Sequence, residues 1–144
     1  HGSRDSARTP VQWSGEENAG FTTGKPWFYV NENYVDVNVA AQEQDADSIL
    51  NFYRKAIALR KALSCVRHGD YKEYNKLSSS LYTYSREDEK QKILVICSYT
   101  EKEVPLKAPK GFDIGSGKLI LRNYENADPD TLKPYEVRVY LWEK

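Results

Sequence analysis

The second half of the sequence is a succession of short apolar and aromatic runs separated by turn-forming residues, and this pattern limits the possible folds most strongly. Residues 93–97 are almost continuously apolar, which is typical of a central strand covered on both faces. Six such runs with glycine and proline between them predict an antiparallel β-sandwich or barrel. The predicted runs are residues 66–75, 81–85, 92–100, 103–107, 118–122 and 135–142.

One strong helical pattern precedes this β region. Its apolar residues recur with the three- and four-residue spacing of one helix face. The pattern predicts an amphipathic helix over residues 48–62, with Asp45 or Asp47 as its N-cap. Because Leu50 and Leu59 widen the apolar face, we expect this helix to pack against a large surface. The expected fold class is therefore mainly β, an antiparallel β-sandwich domain preceded by a long loop and one amphipathic helix.

The N-terminal part of the chain is a long stretch without helix or strand periodicity. Pro10 fixes its own φ and disfavours a helical conformation at Thr9, so we expect an irregular loop. Long loops are usually functional or disordered, and the tryptophan and phenylalanine residues of this one argue against disorder. Arg4 and Arg8 flank Asp5, and their planar guanidinium groups suit paired contacts with a carboxylate. The sequence of this loop therefore predicts an ordered polar site within it.

The same loop carries the motifs of a known enzyme family. Residues 4–13 have the sequence R-D-S-A-R-T-P-V-Q-W, residues 18–27 N-A-G-F-T-T-G-K-P-W, and residues 30–34 V-N-E-N-Y. With the later Leu59-Arg60-Lys61 motif, these runs resemble the α-glucosidase branch of glycoside hydrolase family 13. That branch includes oligo-1,6-glucosidases, dextran glucosidases, trehalose-6-phosphate hydrolases and sucrose isomerases. The chain departs from the usual pattern at Ser6, Val11, Ser14 and Glu32.

The resemblance implies a division into two unequal parts. Residues 1–63 would form the last loop and helix of an incomplete (β/α)8 catalytic barrel, and residues 64–144 the antiparallel C-terminal domain. The chain would then be the C-terminal part of a retaining α-glucosidase that hydrolyses α-1,6-linked isomalto-oligosaccharides. The carboxylates that serve as nucleophile and general acid/base lie on earlier barrel strands in that family. We therefore expect no catalytic residue in this chain and no activity from the fragment alone.

The resemblance also assigns substrate-binding roles to three residues of the loop. Arg8 is expected to pair with an aspartate from the front of the barrel and to hold the hydroxyl groups at the non-reducing end of the substrate glucose. Arg4 and Asp5 are expected to form the neighbouring rim of the pocket. The alternative is that all three residues simply fix the loop to the barrel wall. The loop aromatics are expected to pack on that wall rather than to stack on sugars; they are Trp13, Phe21 and Trp27.

Composition excludes several other classes of partner. The chain has 21 basic and 21 acidic residues, so it lacks the positive excess that nucleic acid or an anionic membrane surface requires. The absence of a membrane-spanning apolar run or a secretory leader leads us to expect a cytoplasmic protein. Cys65 and Cys97 lack redox or metal-site spacing, which predicts free thiols and no metal or other cofactor.

Two alternatives to an enzyme fragment stay open. In the first, the chain is a stand-alone β-sandwich module that binds carbohydrate through a row of exposed tyrosines. In the second, it is a purely structural domain. Without a barrel beside it, helix 48–62 would expose its apolar face, so we expect self-association through that helix or mobility of residues 1–46. The expected partners are therefore an oligosaccharide substrate in the whole enzyme, the missing barrel, and a second copy of the fragment.

Overall fold

The computed structural model describes residues 7–144, which divide into two compact units. The division between these units lies between Arg54 and Lys55, inside a helix, and the domain boundary expected after residue 63 stays a prediction. Within residues 7–144, no helix combines the length and apolar character needed to cross a lipid bilayer.

The first unit consists of loops, single 3-10 turns and helices. Its 3-10 turns are Glu17–Gly20 and Glu32–Val35, helix α1 is Val39–Gln44, and helix α2 is Ile49–Ala62, which continues into the second unit. Helix α2 confirms the helix predicted over residues 48–62. Asn38 is the N-cap of α1, because its side-chain oxygen accepts the Ala41 backbone N–H at 2.8 Å.

The N-cap of α2 is Ser48, so the prediction of Asp45 or Asp47 is wrong. The Ser48 hydroxyl accepts the Asn51 backbone N–H at 3.2 Å and donates to the Gln42 carbonyl at 2.7 Å. Asp45 instead accepts the Asp47 backbone N–H at 2.9 Å, in a turn before the helix. A hydroxyl can donate and accept at once, whereas a carboxylate only accepts. Ser48 therefore caps α2 and ties it to α1.

The second unit is a β module that also contains the end of α2 and one further short helix. Helix α3 is Ser64–His68, and the strands are β1 Asp70–Tyr74, β2 Leu81–Glu87, β3 Gln91–Ser98, β4 Val104–Pro105, β5 Lys118–Arg122, β6 Thr131–Leu132 and β7 Val137–Glu143. One antiparallel sheet has the strand order β1-β2-β3-β7-β5, and β4 pairs with β6 in a two-stranded ribbon. The antiparallel, sheet-rich fold class is confirmed. The sandwich is not confirmed, because the second sheet contains only two short strands.

The main sheet carries a hydrophobic core on each face. Alternate residues of a strand point to opposite faces, so Ile93 and Val95 belong to one core, and Leu94 and Ile96 to the other. The helix-side core consists of Leu63, Cys65, Ile93, Val95, Val139 and Leu141. The ribbon-side core consists of Leu94, Ile96, Leu132 and Tyr140. Both faces of β3 are covered, which confirms the central strand expected from residues 93–97.

The strand predicted over residues 66–75 begins too early, because residues 66–68 belong to helix α3. A short apolar run does not distinguish a helix from a strand. Gly69 marks the change to β1: a Cβ at this position would lie 2.5 Å from the Cys65 carbonyl oxygen and 2.7 Å from the Glu87 carbonyl oxygen. The predicted run 103–107 is also shortened, to β4, where Pro105 has no N–H to donate to a longer ladder.

Candidate functional site

Arg8 is the one predicted binding residue that lies within residues 7–144, and it is exposed. Arg4 and Asp5 lie outside the described residues, so their predicted place at the rim of a pocket stays a prediction. Contacts from a guanidinium to a carboxylate or hydroxyl gain most strength where water is excluded. Arg8 therefore carries hydrogen-bond donors suited to holding a substrate, but it is exposed to water and does not lie in a closed pocket.

A tight turn organises the loop that follows Arg8. The backbone N–H groups of Trp13 and Ser14 both donate to the Ala19 carbonyl, at 2.9 and 3.0 Å. Ala19 is fully buried, and both Asn18 and Ala19 adopt left-handed backbone conformations, with φ of 54° and 57°. This region is disfavoured for residues with a Cβ, so the turn holds backbone strain that its hydrogen bonds offset.

Amide side chains, rather than an apolar core, connect the remaining parts of this loop. The Gln12 side-chain amide donates to the Val37 carbonyl and, at 3.2 Å, to the Asn33 side-chain oxygen. The buried Asn38 side chain donates to the Tyr34 carbonyl at 2.9 Å while it caps α1. The N-cap role of Asn38 has a sequence signal, since asparagine is favoured directly before a helix. The role of Gln12 has none, because its partners lie far along the chain.

The described part of the first unit buries almost no apolar side chain. Within residues 7–54, the buried residues are Pro10, Ala19, Asn38 and Ser48. Trp27 is 92% exposed and stacks on Phe28 with 5.4 Å between ring centroids. The other exposed large apolar residues of this unit are Val11, Trp13, Phe21, Tyr29, Val35, Val37, Ile49 and Tyr53. Exposed apolar surface on this scale is characteristic of a surface that binds another part of a protein.

Two carboxylates of the β module have shifted pKa values, and both shifts are downward. The Ser64 hydroxyl and then the Lys90 backbone N–H lower the pKa of Asp88. The backbone N–H of Asp130 is the main cause that lowers the pKa of Asp128. A general acid at neutral pH needs a raised pKa. Asp88 and Asp128 therefore stay ionised and serve to close turns.

The described residues also offer no obvious metal ligands or nucleophile. No group of three or more His, Cys, Asp or Glu side chains within residues 7–144 is placed to hold a metal ion. Cys65 and Cys97 are free thiols. Burial raises the pKa of both, that of Cys97 to about 11. Since the thiolate is the reactive form, neither cysteine is a candidate nucleophile at neutral pH.

The first part of the chain matches a known family model, and individual relatives match nearly the whole chain. Residues 1–69 match the family model described as "Alpha amylase, catalytic domain". The probable oligo-1,6-glucosidase 2 of Bacillus subtilis is 40% identical over 145 residues, covering 99% of this chain and 26% of the relative. The trehalose-6-phosphate hydrolase of Escherichia coli is 40% identical over 143 residues, covering 96% of this chain and 26% of the relative.

The solved structures give the same relationship. The crystal structure of trehalose-6-phosphate hydrolase from Bacillus licheniformis superposes with a TM-score of 0.89 at 39% identity, covering 99% of this chain and 27% of that one. The chain thus spans about a quarter of the length of the proteins it matches. Residues 1–69 therefore match the catalytic domain of the α-amylase family, and the chain is a homologue of the oligo-1,6-glucosidases and trehalose-6-phosphate hydrolases.

Proposed function

We propose that the chain is the C-terminal part of a cytoplasmic, retaining α-glucosidase that hydrolyses α-1,6-linked isomalto-oligosaccharides. The observation that carries this proposal is a match of residues 1–69 to a catalytic domain, in a chain about a quarter as long as its relatives. The match ends close to the predicted boundary after residue 63. Residues 1–63 are accordingly assigned to the last loop and helix of the barrel, and residues 64–144 to the domain that follows.

The exposed apolar residues of the first unit support this assignment. Trp13 and Phe21 are about half exposed and Trp27 almost fully so, although all three lie in the part aligned with a catalytic domain. Large aromatic side chains usually supply packing area. In the proposed whole enzyme, the barrel wall covers these rings and completes a unit that now buries few of its apolar groups.

The chemistry of a retaining glycosidase requires two carboxyl groups about 5–5.5 Å apart, one as nucleophile and one as general acid/base. In this proposal both carboxyl groups come from the missing barrel strands, so the fragment alone is inactive. Arg8 contributes fixed donors that, together with a barrel aspartate, hold the terminal glucose hydroxyls and reject a chain extending beyond them. Arg4 and Asp5 form the neighbouring rim.

The choice of an α-1,6-linked substrate is tested by comparing substrates with the longer protein of which the chain is proposed to be part. We expect kcat/KM for isomaltose and isomaltotriose to exceed that for trehalose 6-phosphate. A preference for trehalose 6-phosphate would overturn the α-1,6 assignment while leaving the α-glucosidase class intact. Turnover of neither substrate class would overturn the proposed function.

The role of Arg8 is tested by Arg8→Lys in the same longer protein. Lysine keeps the charge but loses the planar, two-pronged donor geometry, so we expect kcat/KM to fall about tenfold or more. Arg54→Lys is the matched control, since Arg54 is exposed and pairs with Glu43 at 2.7 Å. Equal effects of the two variants would assign Arg8 no special part in substrate binding.

A stand-alone β module that binds carbohydrate is the second candidate function. It is favoured by one observation, a row of neighbouring tyrosine side chains formed by the exposed Tyr71 and Tyr99 and the half-buried Tyr82 and Tyr84. It requires binding of an oligosaccharide by the fragment itself, with no need for a barrel.

A further inference from the structure

Four tyrosine rings form a connected row on the helix-side face of the main sheet. Ring centroids are 5.6 Å apart for Tyr71 and Tyr84, 5.4 Å for Tyr84 and Tyr82, and 6.3 Å for Tyr82 and Tyr99. Tyr82 and Tyr84 are alternate residues of β2, and so share one face, beside Tyr71 on β1. Tyr71 is 50% and Tyr99 63% exposed, whereas Tyr82 and Tyr84 are half-buried. We call these residues the tyrosine row.

Two hydroxyl groups of the row, those of Tyr71 and Tyr82, meet at the exposed surface. The Tyr71 and Tyr82 hydroxyl oxygens are 2.9 Å apart, and the Tyr71 hydroxyl donates to the Glu73 carboxylate at 3.4 Å. The hydrogen bond with Tyr82, and then burial, raises the pKa of Tyr71. The Tyr71 hydroxyl therefore remains neutral at physiological pH, and both hydroxyls can donate or accept hydrogen bonds.

An open cleft adjoins the tyrosine row. Its volume is about 330 Å³, which is within the range of small-ligand sites. Its lining includes Glu73, Asn75, Lys76, Ser78, Tyr82 and Tyr99. One carboxylate and one ammonium group balance in charge, and the other polar groups are amide and hydroxyl. The surface therefore combines aromatic faces with neutral hydrogen-bonding groups and has no excess charge.

This combination suits a neutral sugar chain. The apolar C–H face of a glucose ring packs against an aromatic face, while its hydroxyl groups need donors and acceptors at the edge. A nucleic acid would require an excess of basic residues, and the cleft offers Lys76 opposed by Glu73. We propose that the tyrosine row and its cleft bind a neutral α-linked gluco-oligosaccharide. The α linkage rests on the proposed function, whereas the aromatic and polar surface does not.

The test is calorimetric titration of the 144-residue chain with isomaltotriose and maltohexaose, and with cellohexaose as a β-linked comparison. The variants are Tyr99→Ala, which removes the most exposed ring of the row, and Tyr99→Phe, which keeps the ring. Tyr29→Ala is the matched control, because Tyr29 is 64% exposed and lies in the other compact unit. Circular dichroism of each variant reports whether the fold is retained.

We expect saturable binding of an α-linked oligosaccharide, about fivefold weaker in Tyr99→Ala and within about twofold of the original in Tyr99→Phe and Tyr29→Ala. No saturable binding of any sugar would overturn the proposal, as would equal affinities of Tyr99→Ala and Tyr29→Ala. Preference for cellohexaose would overturn the α-linked assignment. Hydrolysis by the longer protein is measured separately. An absence of sugar binding at the tyrosine row is therefore distinguishable from an absence of the proposed α-glucosidase activity.

Discussion

Glu136 and Arg138 form an ion pair that is almost completely removed from solvent. The Arg138 Nε atom lies 2.6 Å from Glu136 Oε1, and the two side chains are 2% and 0% exposed. The two remaining nitrogens of the guanidinium donate to the Asp128 and Thr131 carbonyls, each at 2.6 Å. Glu136 also accepts the Lys133 backbone N–H at 2.7 Å. This network fixes the segment before β7, including β6, to the ribbon-side face of the sheet.

We predict that Arg138→Met destabilises the β module by about 3–5 kcal/mol, because it leaves the Glu136 carboxylate buried without its partner. Urea unfolding followed by circular dichroism measures the change. Lys144→Met is the control: Lys144 pairs with Glu87 at 2.7 Å in the same unit, but both side chains are more than 40% exposed. An exposed pair contributes about 0–1 kcal/mol. Similar decreases in the free energy of unfolding in both variants would contradict the idea that the Arg138–Glu136 pair matters because it is buried.

The Asp88 carboxylate leads to a prediction about pH. Its pKa is lowered in the folded state, chiefly by the Ser64 hydroxyl, from an ordinary value of 3.8. A lowered folded-state pKa stabilises the fold above the ordinary pKa, and this contribution is lost as pH falls through the folded-state pKa. We therefore expect Asp88→Asn to be less stable than the original chain at neutral pH.

The difference between Asp88→Asn and the original chain should shrink as the solution becomes strongly acidic. Urea unfolding over a series of pH values measures it. A second readout is the Asp88 pKa by NMR titration, which Ser64→Ala should move upward, because the Ser64 hydroxyl is the main cause of the shift. A stability difference that does not change with pH would contradict the assignment, as would an unchanged Asp88 pKa in Ser64→Ala.

Gly69 provides a prediction about backbone packing. We expect Gly69→Ala to cost about 3 kcal/mol, since its Cβ would meet two backbone carbonyl oxygens, at 2.5 and 2.7 Å, which cannot move away cheaply. Gly111→Ala is the control, because no heavy atom lies within 4 Å of its added Cβ and the cost, about 1 kcal/mol, comes from its φ of +93°. Thermal unfolding measures the loss of stability in the two variants. A larger loss in Gly111→Ala would be inconsistent with the close approach at Gly69.

Periodic elements of this fold were predictable from the sequence, and irregular ones were not. Helix α2 and strands β2, β3, β5 and β7 follow from regular spacing of apolar residues, which local sequence carries. Strand β6 was not predicted, since its two residues are too few to show a pattern. The Arg138–Glu136 pair was not predicted either. A charged residue in an apolar strand has no local signal for burial, because its partners are brought together only by the fold.

The family resemblance of the loop was predictable from its sequence, but the local structure around Arg8 was not. The motifs around Arg8 led to the family, which the comparisons bear out. The tight turn at Asn18 and Ala19 was not foreseen, because left-handed backbone at an alanine has no sequence signal. The predicted N-cap of α2 was wrong because three residues with acceptor side chains, Asp45, Asp47 and Ser48, lie close together before the helix. The contacts of Gln42 with Ser48 and Leu50, which the local sequence does not reveal, select Ser48.

The exposed stripe of α2 leads to a prediction about self-association. Ile49, Tyr53 and Ile57 recur every four residues and are 74%, 64% and 50% exposed. We expect the fragment to associate with itself through this face, and Tyr53→Lys to weaken that association. Sedimentation velocity over a range of concentrations measures it, with Tyr29→Lys as an equally exposed control. A chain that stays monomeric at all concentrations would contradict the prediction.

In the proposed function, the chain supplies a binding loop and a β module but depends on a missing barrel for catalysis. The most direct test is hydrolysis of p-nitrophenyl α-glucoside by the 144-residue chain at high concentration, beside the longer protein that contains it. We predict activity in the longer protein and none in the chain. Turnover by the chain alone, lost on removal of one of its own carboxylates, would contradict this account.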